Sequence, residues 1–232
     1  MKQLIFLSLL ASIALADPGL SNILLDDEGW QQTAVTEQGF VIKERELPGY
    51  PMHAVSVTAE VNLPLETLAA VVHDIENYSR FLNSAAAITF DVFEKDSTHI
   101  IGYQHINIPY LSDRHYAYRF DLVGTREGQR WITGWDLLPA NGRLTSFINQ
   151  KDEQFENPVY IDEGSGRFIF ERIGENRTRF SYRLYMDIGG WVPKSLVERS
   201  NSEGIVGLVA DVIAEAQRRV SLPMPAESLT EG

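Results

Sequence analysis

The feature that most constrains the fold is a succession of strand-like segments over residues 87–187, followed by one long amphipathic helix. Turn residues interrupt the apolar runs at positions 95–97, 126–128, 140–142, 162–164 and 174–176. Hairpin turns at such regular intervals predict an antiparallel meander and not strands joined by crossover helices. Because a sheet of this kind buries one face, it needs a covering element, and the final helix is the candidate.

The final helix is predicted from Pro193 to about Val220, where apolar residues recur at helical spacing. Arg218 and Arg219 stand in its last turn, where positive charge interacts favourably with the helix dipole. The helix therefore presents one broad apolar side to the predicted sheet. This apolar stripe comprises Leu196, Val197, Ile205, Leu208, Val209, Val212, Ile213 and Ala216.

The first part of the chain is predicted to add two strands and a helix. Residues 40–43 and 54–61 alternate like strands, and a short helical segment is predicted before them at 21–32. Asn62 is a candidate N-cap of the next helix, and Pro64 suits its first turn. We therefore expect one α+β domain. The apolar face of this helix comprises Leu65, Leu68, Ala69, Val72 and Ile75.

The ends of the chain and its composition indicate where the protein works. Residues 1–16 combine a positive charge, an apolar run and a small-residue site, the order typical of a secretory signal peptide. We expect a single domain at 17–222 and a C-terminal tail at 223–232. The sequence has no cysteine and a formal net charge of −12. Absence of cysteine favours a bacterial periplasm over a eukaryotic secretory route, and the negative charge argues against a nucleic-acid partner.

The sequence contains none of the common catalytic motifs. It has no cysteine nucleophile, no G-x-S-x-G elbow, no phosphate-binding loop and no H-E-x-x-H motif. Its five histidines are scattered, and a site built from His99 and His105 would still lack a third metal ligand. Asp74 is expected to cap the following turn or to meet a basic neighbour. We therefore expect no cofactor, no metal and no enzymatic activity.

Three stretches of the sequence are similar to those of a known family. They are VNLPLETLAAVVHDIENYSRFL at 61–82, LSDRHYAYRF at 111–120 and GRFIFERIGENRTRFSYRLYMDIGGWVPKSLVERS at 166–200. The first resembles a helical segment closed by a D-x-x-x-Y/W pattern, and the second resembles an S-D-R-D-aromatic strand start. The third resembles a closing hairpin with a Gly-Gly step into the last helix. In this order and spacing they resemble the START domains, the steroidogenic-acute-regulatory-protein-related lipid-transfer modules.

This resemblance implies a helix-grip fold, in which a strongly curved antiparallel sheet of about nine strands carries a long C-terminal helix over a central cavity. It implies that the cavity binds one lipid, sterol or other hydrophobic molecule for transport. With it we expect transient membrane contact and a monomer. Two alternatives stay open: a helix-grip enzyme of the cyclase or hydratase type, and an envelope interaction module whose core is filled by its own side chains.

Strand parity selects the candidate ligand contacts in this cavity. Arg114 begins a row of alternate residues that faces inward, while His115, where the family has an acidic residue, faces outward. Arg114 either hydrogen-bonds a ligand head group or pairs with a structural acid. The aromatic residues either contact ligand or form ordinary core. The candidate ligand contacts are Arg114, Tyr116, Tyr118, Trp135, Phe170, Tyr182, Leu208 and Val212.

A step rich in glycine joins the last strand to the final helix and is the predicted hinge of a lid. The Gly-Gly pair permits backbone conformations closed to other residues, and the proline suits a helix start. Each of the two glycines within the helix costs about 1 kcal/mol relative to alanine, which indicates a close approach or a capacity to bend. The tryptophan either enters a membrane interface during opening or packs over the sheet edge. These hinge and lid residues are Gly189, Gly190, Trp191, Pro193, Gly204 and Gly207.

Overall fold

In a computed structural model of the protein, residues 19–85, 88–107, 112–155, 158–189 and 194–221 are described. Within the last of these ranges, side chains are described from residue 202 onward. The predicted signal peptide, the C-terminal tail, and Gly190, Trp191 and Pro193 of the predicted hinge lie outside the described residues. In the ranges given, no helix is long and apolar enough to cross a membrane.

The elements of the described chain are five helices, two 3-10 turns and eleven strands. The helices are α1 (Gly19–Leu25), α2 (Leu65–Val72), α3 (Tyr78–Phe81), α4 (Arg143–Asp152) and α5 (Lys194–Ser221), with 3-10 turns at Ile75–Asn77 and Asn83–Ala85. The strands are β1 (Gln31–Val35), β2 (Val41–Glu46), β3 (His53–Val61), β4 (Ile88–Lys95), β5 (His99–Ile106), β6 (Arg114–Asp121), β7 (Thr125–Glu127), β8 (Arg130–Leu138), β9 (Val159–Tyr160), β10 (Gly164–Gly174) and β11 (Arg177–Met186).

All eleven strands belong to one sheet, whose main path runs β1-β2-β3-β11-β10-β8-β6-β5-β4 through antiparallel neighbours. Off this path, β7 pairs with β8, and β9 runs parallel to the start of β6. The meander is confirmed for β4, β5, β6, β8, β10 and β11. Pairing of β3 with β11 then adds the N-terminal strands to its edge. The predicted fold class, a curved antiparallel sheet with a long C-terminal helix, is confirmed.

The prediction of an uninterrupted meander is wrong at residues 140–152, where the chain forms α4. Gly142 has a φ of 54°, a conformation that favours glycine, and α4 begins at the next residue. Leu144 and Ile148 of this helix are buried against Ala117 of β6. Their spacing of four residues is helical, so the signal for α4 was present but the turn residues before it suggested a hairpin.

The N-terminal region differs from the prediction in two details. Helix α1 ends at Leu25 and a strand starts at Gln31, so the segment 21–32 is only partly helical. Helix α2 has Pro64, and not Asn62, in its N-cap position. Proline at φ −60° suits a helix start because it has no amide hydrogen to leave unpaired.

The main hydrophobic core lies between the sheet and helices α2 and α5, on what we call the inner face of the sheet. The predicted apolar face of α2 is fully buried in this core. The predicted stripe of α5 is confirmed where side chains are described, with Leu208 partly buried. The buried members of this stripe are Ile205, Val209, Val212, Ile213 and Ala216.

Polar contacts fasten the C-terminal part of α5 to the α2 region. Arg219 Nη2 lies 2.6 Å from Asp74 Oδ2, and the main-chain amide of Ser84 donates to Asp211 Oδ2 at 2.7 Å. Within α5, Glu215 accepts hydrogen bonds from Arg218 and Arg219, and these bonds hold the pKa of its carboxyl at about 2. The expectation that Asp74 meets a basic neighbour is therefore confirmed.

The opposite side of the sheet, which we call the outer face, buries a histidine beneath α4. His115 is 1% exposed, and its Nδ1 lies 3.0 Å from the hydroxyl of Tyr103. Its Nε2 lies 3.0 Å from Oδ1 of Asp152, the last residue of α4. Burial lowers the pKa of His115, and the charge of Asp152 acts in the opposite direction.

Stability should therefore depend on pH near neutrality. Because the pKa of folded His115 lies below its unfolded value of about 6.5, the unfolded chain binds more protons between these two values. We expect this residue to make its full contribution to the free energy of unfolding above about pH 6.5. The contribution should decrease as the pH falls below that value. Urea unfolding on both sides of that pH measures the change. The His115→Gln variant should show a smaller decrease, and an equal decrease in both proteins contradicts the assignment.

Candidate functional site

The predicted ligand contacts other than Arg114 belong to one hydrophobic cluster on the inner face. Parity along β6 and β11 is confirmed, because Tyr116 and Tyr182 lie in this cluster, whereas Arg179 and Arg183 form ion pairs on the other side. Two members of the set, Trp135 and Leu208, are only partly buried. The buried members are Tyr116, Tyr118, Phe170, Tyr182 and Val212.

Stacked aromatic rings fill the inner face along β10 and β11. The rings of Phe168 and Tyr182 are 4.2 Å apart between centroids, and those of Phe170 and Phe180 are 5.1 Å apart. Phe170 has no exposed surface. Phe170 is therefore packed in the core of this structure, and its role as a ligand contact stays a prediction.

Several side chains that pack against this cluster, or bond to one of its members, are only partly buried. Gln104, Ile106, Trp135, Ile188 and Leu208 are partly exposed, and we call them the partly exposed set. They come from β5, β8, α5 and the segment after β11. Four of the five are apolar, and apolar surface that the protein itself does not cover is stabilised by a ligand that buries it.

Polar groups are few on this face, and most of them bond to one another. The hydroxyl of Tyr116 donates to Oε1 of Gln104, and Nε1 of Trp135 donates to the hydroxyl of Tyr182 at 3.0 Å. The hydroxyl of Tyr118 is buried and has no hydrogen-bond partner among the described residues. Burial raises the pKa of all three tyrosines above its usual value, so they are neutral at physiological pH.

Two of these rings lie over glycines of neighbouring strands. Gly102 is the cross-strand partner of Tyr118, and Gly166 is that of Trp135. A Cβ atom at Gly166 would lie 2.5 Å from the indole ring, and one at Gly102 would meet the phenol ring. Neither glycine was predicted to be a point of close approach, although a glycine within a strand is a signal of one.

Arg114 is buried but bonds to the main chain. Its Nε donates to the carbonyl of Ile188 at 2.8 Å and its Nη2 to that of Gly189 at 3.2 Å, while Nη1 donates to Ser112. Neither sequence alternative anticipated these partners, since one assigned a ligand and the other a structural acid. The geometry instead makes Arg114 the link between the start of β6 and the segment after β11. Its role as a ligand contact stays a prediction.

The segment after β11 has the conformation that its glycine predicts. Gly189 has a φ of 62°, which L side chains rarely adopt, and its amide donates to Oδ1 of Asp187 at 2.9 Å. The amide of Asp187 donates in turn to the carbonyl of Glu163 at 3.1 Å. The chain therefore leaves the sheet through a turn held at Asp187, Gly189 and Arg114.

The two glycines in α5 have different surroundings. A Cβ atom at Gly207 would collide with Cβ of Ser84, whereas one at Gly204 would meet nothing within 4 Å. Gly207 is therefore the close approach that sequence reasoning offered as one explanation. Gly204 faces open space, so no packing contact requires a glycine at this position of the helix.

Catalytic and metal-binding groupings are sparse in the described part of the chain. Among those residues, no group of three or more His, Asp or Glu side chains is arranged to hold a metal ion. His73 packs edge-on against the rings of Phe120 and Trp131, with Nε2 3.3 Å from the hydroxyl of Thr133. Burial lowers the pKa of His73, which keeps the imidazole neutral at physiological pH.

Alanine substitutions at the two helical glycines should have opposite effects on stability. Gly204→Ala should stabilise the fold by about 0.5–1 kcal/mol, because alanine has less conformational entropy to lose in a helix. Gly207→Ala should destabilise it by about 1–3 kcal/mol through the collision with Ser84. Urea unfolding of the two variants measures both effects, and a change of the same sign in both contradicts this assignment.

Several solved structures share this architecture, and some of them are named StAR-related lipid transfer proteins. The chain matches one from Xanthomonas axonopodis with a TM-score of 0.65 and 14% identity, covering 82% of this chain and 99% of that one. Human STARD10 matches with a TM-score of 0.64 and 15% identity, over 85% of this chain and 76% of that one. Human StAR-related lipid transfer protein 5 matches with a TM-score of 0.63 and 12% identity, over 86% of this chain and 91% of that one.

Comparisons of the sequence identify no further related protein. No family profile matches the chain, and no curated protein matches it significantly. At this level of identity the likeness concerns the fold and not the ligand. The fold of this chain is that of the StAR-related lipid transfer, or START, domains.

Proposed function

We propose that this protein binds one lipid or sterol-like molecule between the inner face and α5 and carries it between membranes. The observation that carries the proposal is the partly exposed set, whose apolar members pack against the same hydrophobic cluster as α5. The fold supports it, because three proteins of the same fold are named as lipid transfer proteins or related to them. Catalysis is no part of the proposal.

The energy available from such a site is sufficient for binding without covalent chemistry. A ligand that buries roughly 300 Å² of apolar surface gains on the order of 7 kcal/mol before the costs of association. Trp135 and Leu208 offer large apolar side chains for this contact. Hydrogen bonds from the few polar groups would then select among ligands and add little to the total affinity.

Release of the ligand requires an opening, and the contacts of α5 favour its N-terminal end. The C-terminal part of the helix is attached to the α2 region at Asp211 and Arg219. The segment that leads into the helix is attached to the sheet through the bonds of Arg114 to Ile188 and Gly189. We therefore propose that these bonds break when the site opens and that the part of α5 before Gly207 moves away from the sheet.

The proposal extends to where the protein acts. The segment 1–16 directs its export to the periplasm. There it acts as a monomer and touches a membrane briefly while it exchanges the ligand. Trp191, next to the hinge, is the proposed membrane contact. Its replacement by alanine should slow transfer between vesicles, and an unchanged rate would remove this part of the proposal.

A substitution that fills the site should block binding. Leu208→Trp adds an indole ring at the partly exposed set and should reduce uptake of a fluorescent lipid by about tenfold or more, because overfilled sites exclude ligand. Val220→Trp is the matched control, since Val220 lies in the same helix and is 55% exposed. Fluorescence titration with a labelled lipid measures both. Equal uptake by Leu208→Trp and the wild type contradicts this site.

Loss of the Arg114 contacts should accelerate exchange. Arg114→Gln removes charge-assisted hydrogen bonds worth about 1.5–3 kcal/mol each and should raise the rate of lipid transfer between vesicles by about tenfold. Arg172→Gln is the control, because Arg172 pairs with Glu66 on the surface. Thermal unfolding establishes that both variants are folded. A transfer rate equal to that of the wild type contradicts the proposed opening.

A further inference from the structure

We infer that the polar group of the bound molecule is an uncharged hydrogen-bond acceptor, such as a hydroxyl or carbonyl oxygen, and that Tyr118, Tyr182 and Gln104 recognise it. The inference rests on the proposed function, because it assigns the class of molecule that the same site takes. It distinguishes a neutral lipid from a hydrocarbon, a fatty acid anion and an anionic phospholipid.

Two hydroxyl groups on the inner face donate to no acceptor within the described ranges. The hydroxyl of Tyr118 lacks any partner, although this residue is only 3% exposed. The hydroxyl oxygen of Tyr182 accepts from Trp135, which leaves its own proton without an acceptor. Gln104 accepts from Tyr116 through its carbonyl oxygen, and it lies close enough to the Tyr118 hydroxyl to lower the pKa of that group. Native proteins leave few buried donors in this state, which points to an acceptor supplied by a ligand.

The donors belong to one neighbourhood although they come from three strands. Tyr116 and Gln104 are cross-strand partners, and the rings of Tyr116 and Tyr118 are 6.4 Å apart between centroids. The hydroxyls of Tyr182 and Tyr118 are close enough to Tyr116 to raise its pKa, after the larger effect of burial. We therefore place the polar group of the ligand beside Trp135, among these side chains.

The charges around this neighbourhood favour a neutral ligand. Arg114 is the charged side chain that shares the inner side of β6 with Tyr116 and Tyr118, and its nitrogens donate to Ser112, Ile188 and Gly189. A carboxylate or phosphate buried here would lose its hydration, and Arg114 already donates to main-chain carbonyls, so burial of the anion is unfavourable. A cationic group would face hydrogen-bond donors. A hydroxyl or carbonyl oxygen satisfies the donors without either penalty.

Competition against an apolar fluorophore tests this inference. The probe is N-phenyl-1-naphthylamine, and the competitors are hexadecane, hexadecanol, methyl palmitate and palmitate, which share one alkyl chain length. We expect hexadecanol and methyl palmitate to displace the probe at concentrations about two- to tenfold lower than hexadecane, as one net hydrogen bond implies. Palmitate should compete less well than its methyl ester.

Substitutions then identify the donors. Tyr118→Phe and Tyr182→Phe each remove one hydroxyl and should abolish most of the preference for hexadecanol over hexadecane, with displacement by hexadecane unchanged. Tyr185→Phe is the matched control, because Tyr185 is fully buried but belongs to a separate cluster with Leu24 and Leu47. Gln104→Leu provides the same test on a partly exposed residue if a phenylalanine variant fails to fold.

The outcomes separate the inference from the proposed function. Absence of probe binding contradicts the proposed function, and the inference falls with it. Probe binding with equal displacement by all competitors leaves the proposed function standing and overturns the inference. Stronger displacement by palmitate than by its ester also overturns it, because the site would then accept a charge. If the Tyr118, Tyr182 and Gln104 variants all keep the preference for hexadecanol over hexadecane, these residues are not the donors.

Discussion

One helix has to cover a sheet much wider than itself, and the packing of the inner face follows from this constraint. With its 28 residues, α5 is about 42 Å long but only about 10 Å wide. The nine strands of the main path extend over about 40 Å at a spacing of about 4.8 Å. The helix packs on β3 and β11 and on α2 and the 3-10 turn Asn83–Ala85. The inner face of the remaining strands therefore depends on large side chains, and where these do not suffice, apolar side chains stay partly exposed.

The same constraint explains the glycines and the aromatic rings of this face. Tyr118 and Trp135 cover neighbouring strands because Gly102 and Gly166 leave room for their rings. Phe168 and Phe170 stack in parallel with rings of β11 and close the space next to α2. The inner face thus has a filled part and a less filled part, and the proposed ligand site is the second.

Patterns that depend on one element could be predicted from the sequence, and contacts between distant elements could not. Alternation along β11 predicted that Tyr182 faces the core and that Arg183 faces the opposite side. Helical spacing predicted the buried side of α5. Helix α4 was missed because the residues at 140–142 have the same turn chemistry before a helix as before a strand. The partners of Arg114 were missed because main-chain carbonyls leave no trace in a sequence, and the order of strands brings Ile188 to Arg114.

The central claim is that this chain holds one hydrophobic molecule under α5, and native mass spectrometry tests it most directly. The protein would be purified from a periplasmic fraction without detergent, and the bound molecule extracted and identified. We predict a single adduct of one lipid or sterol-like class at one molecule per protein chain, and failure to recover the protein in that fraction would contradict its proposed location. A protein that carries no adduct and takes up no labelled lipid or sterol would contradict the claim and favour a core filled by its own side chains.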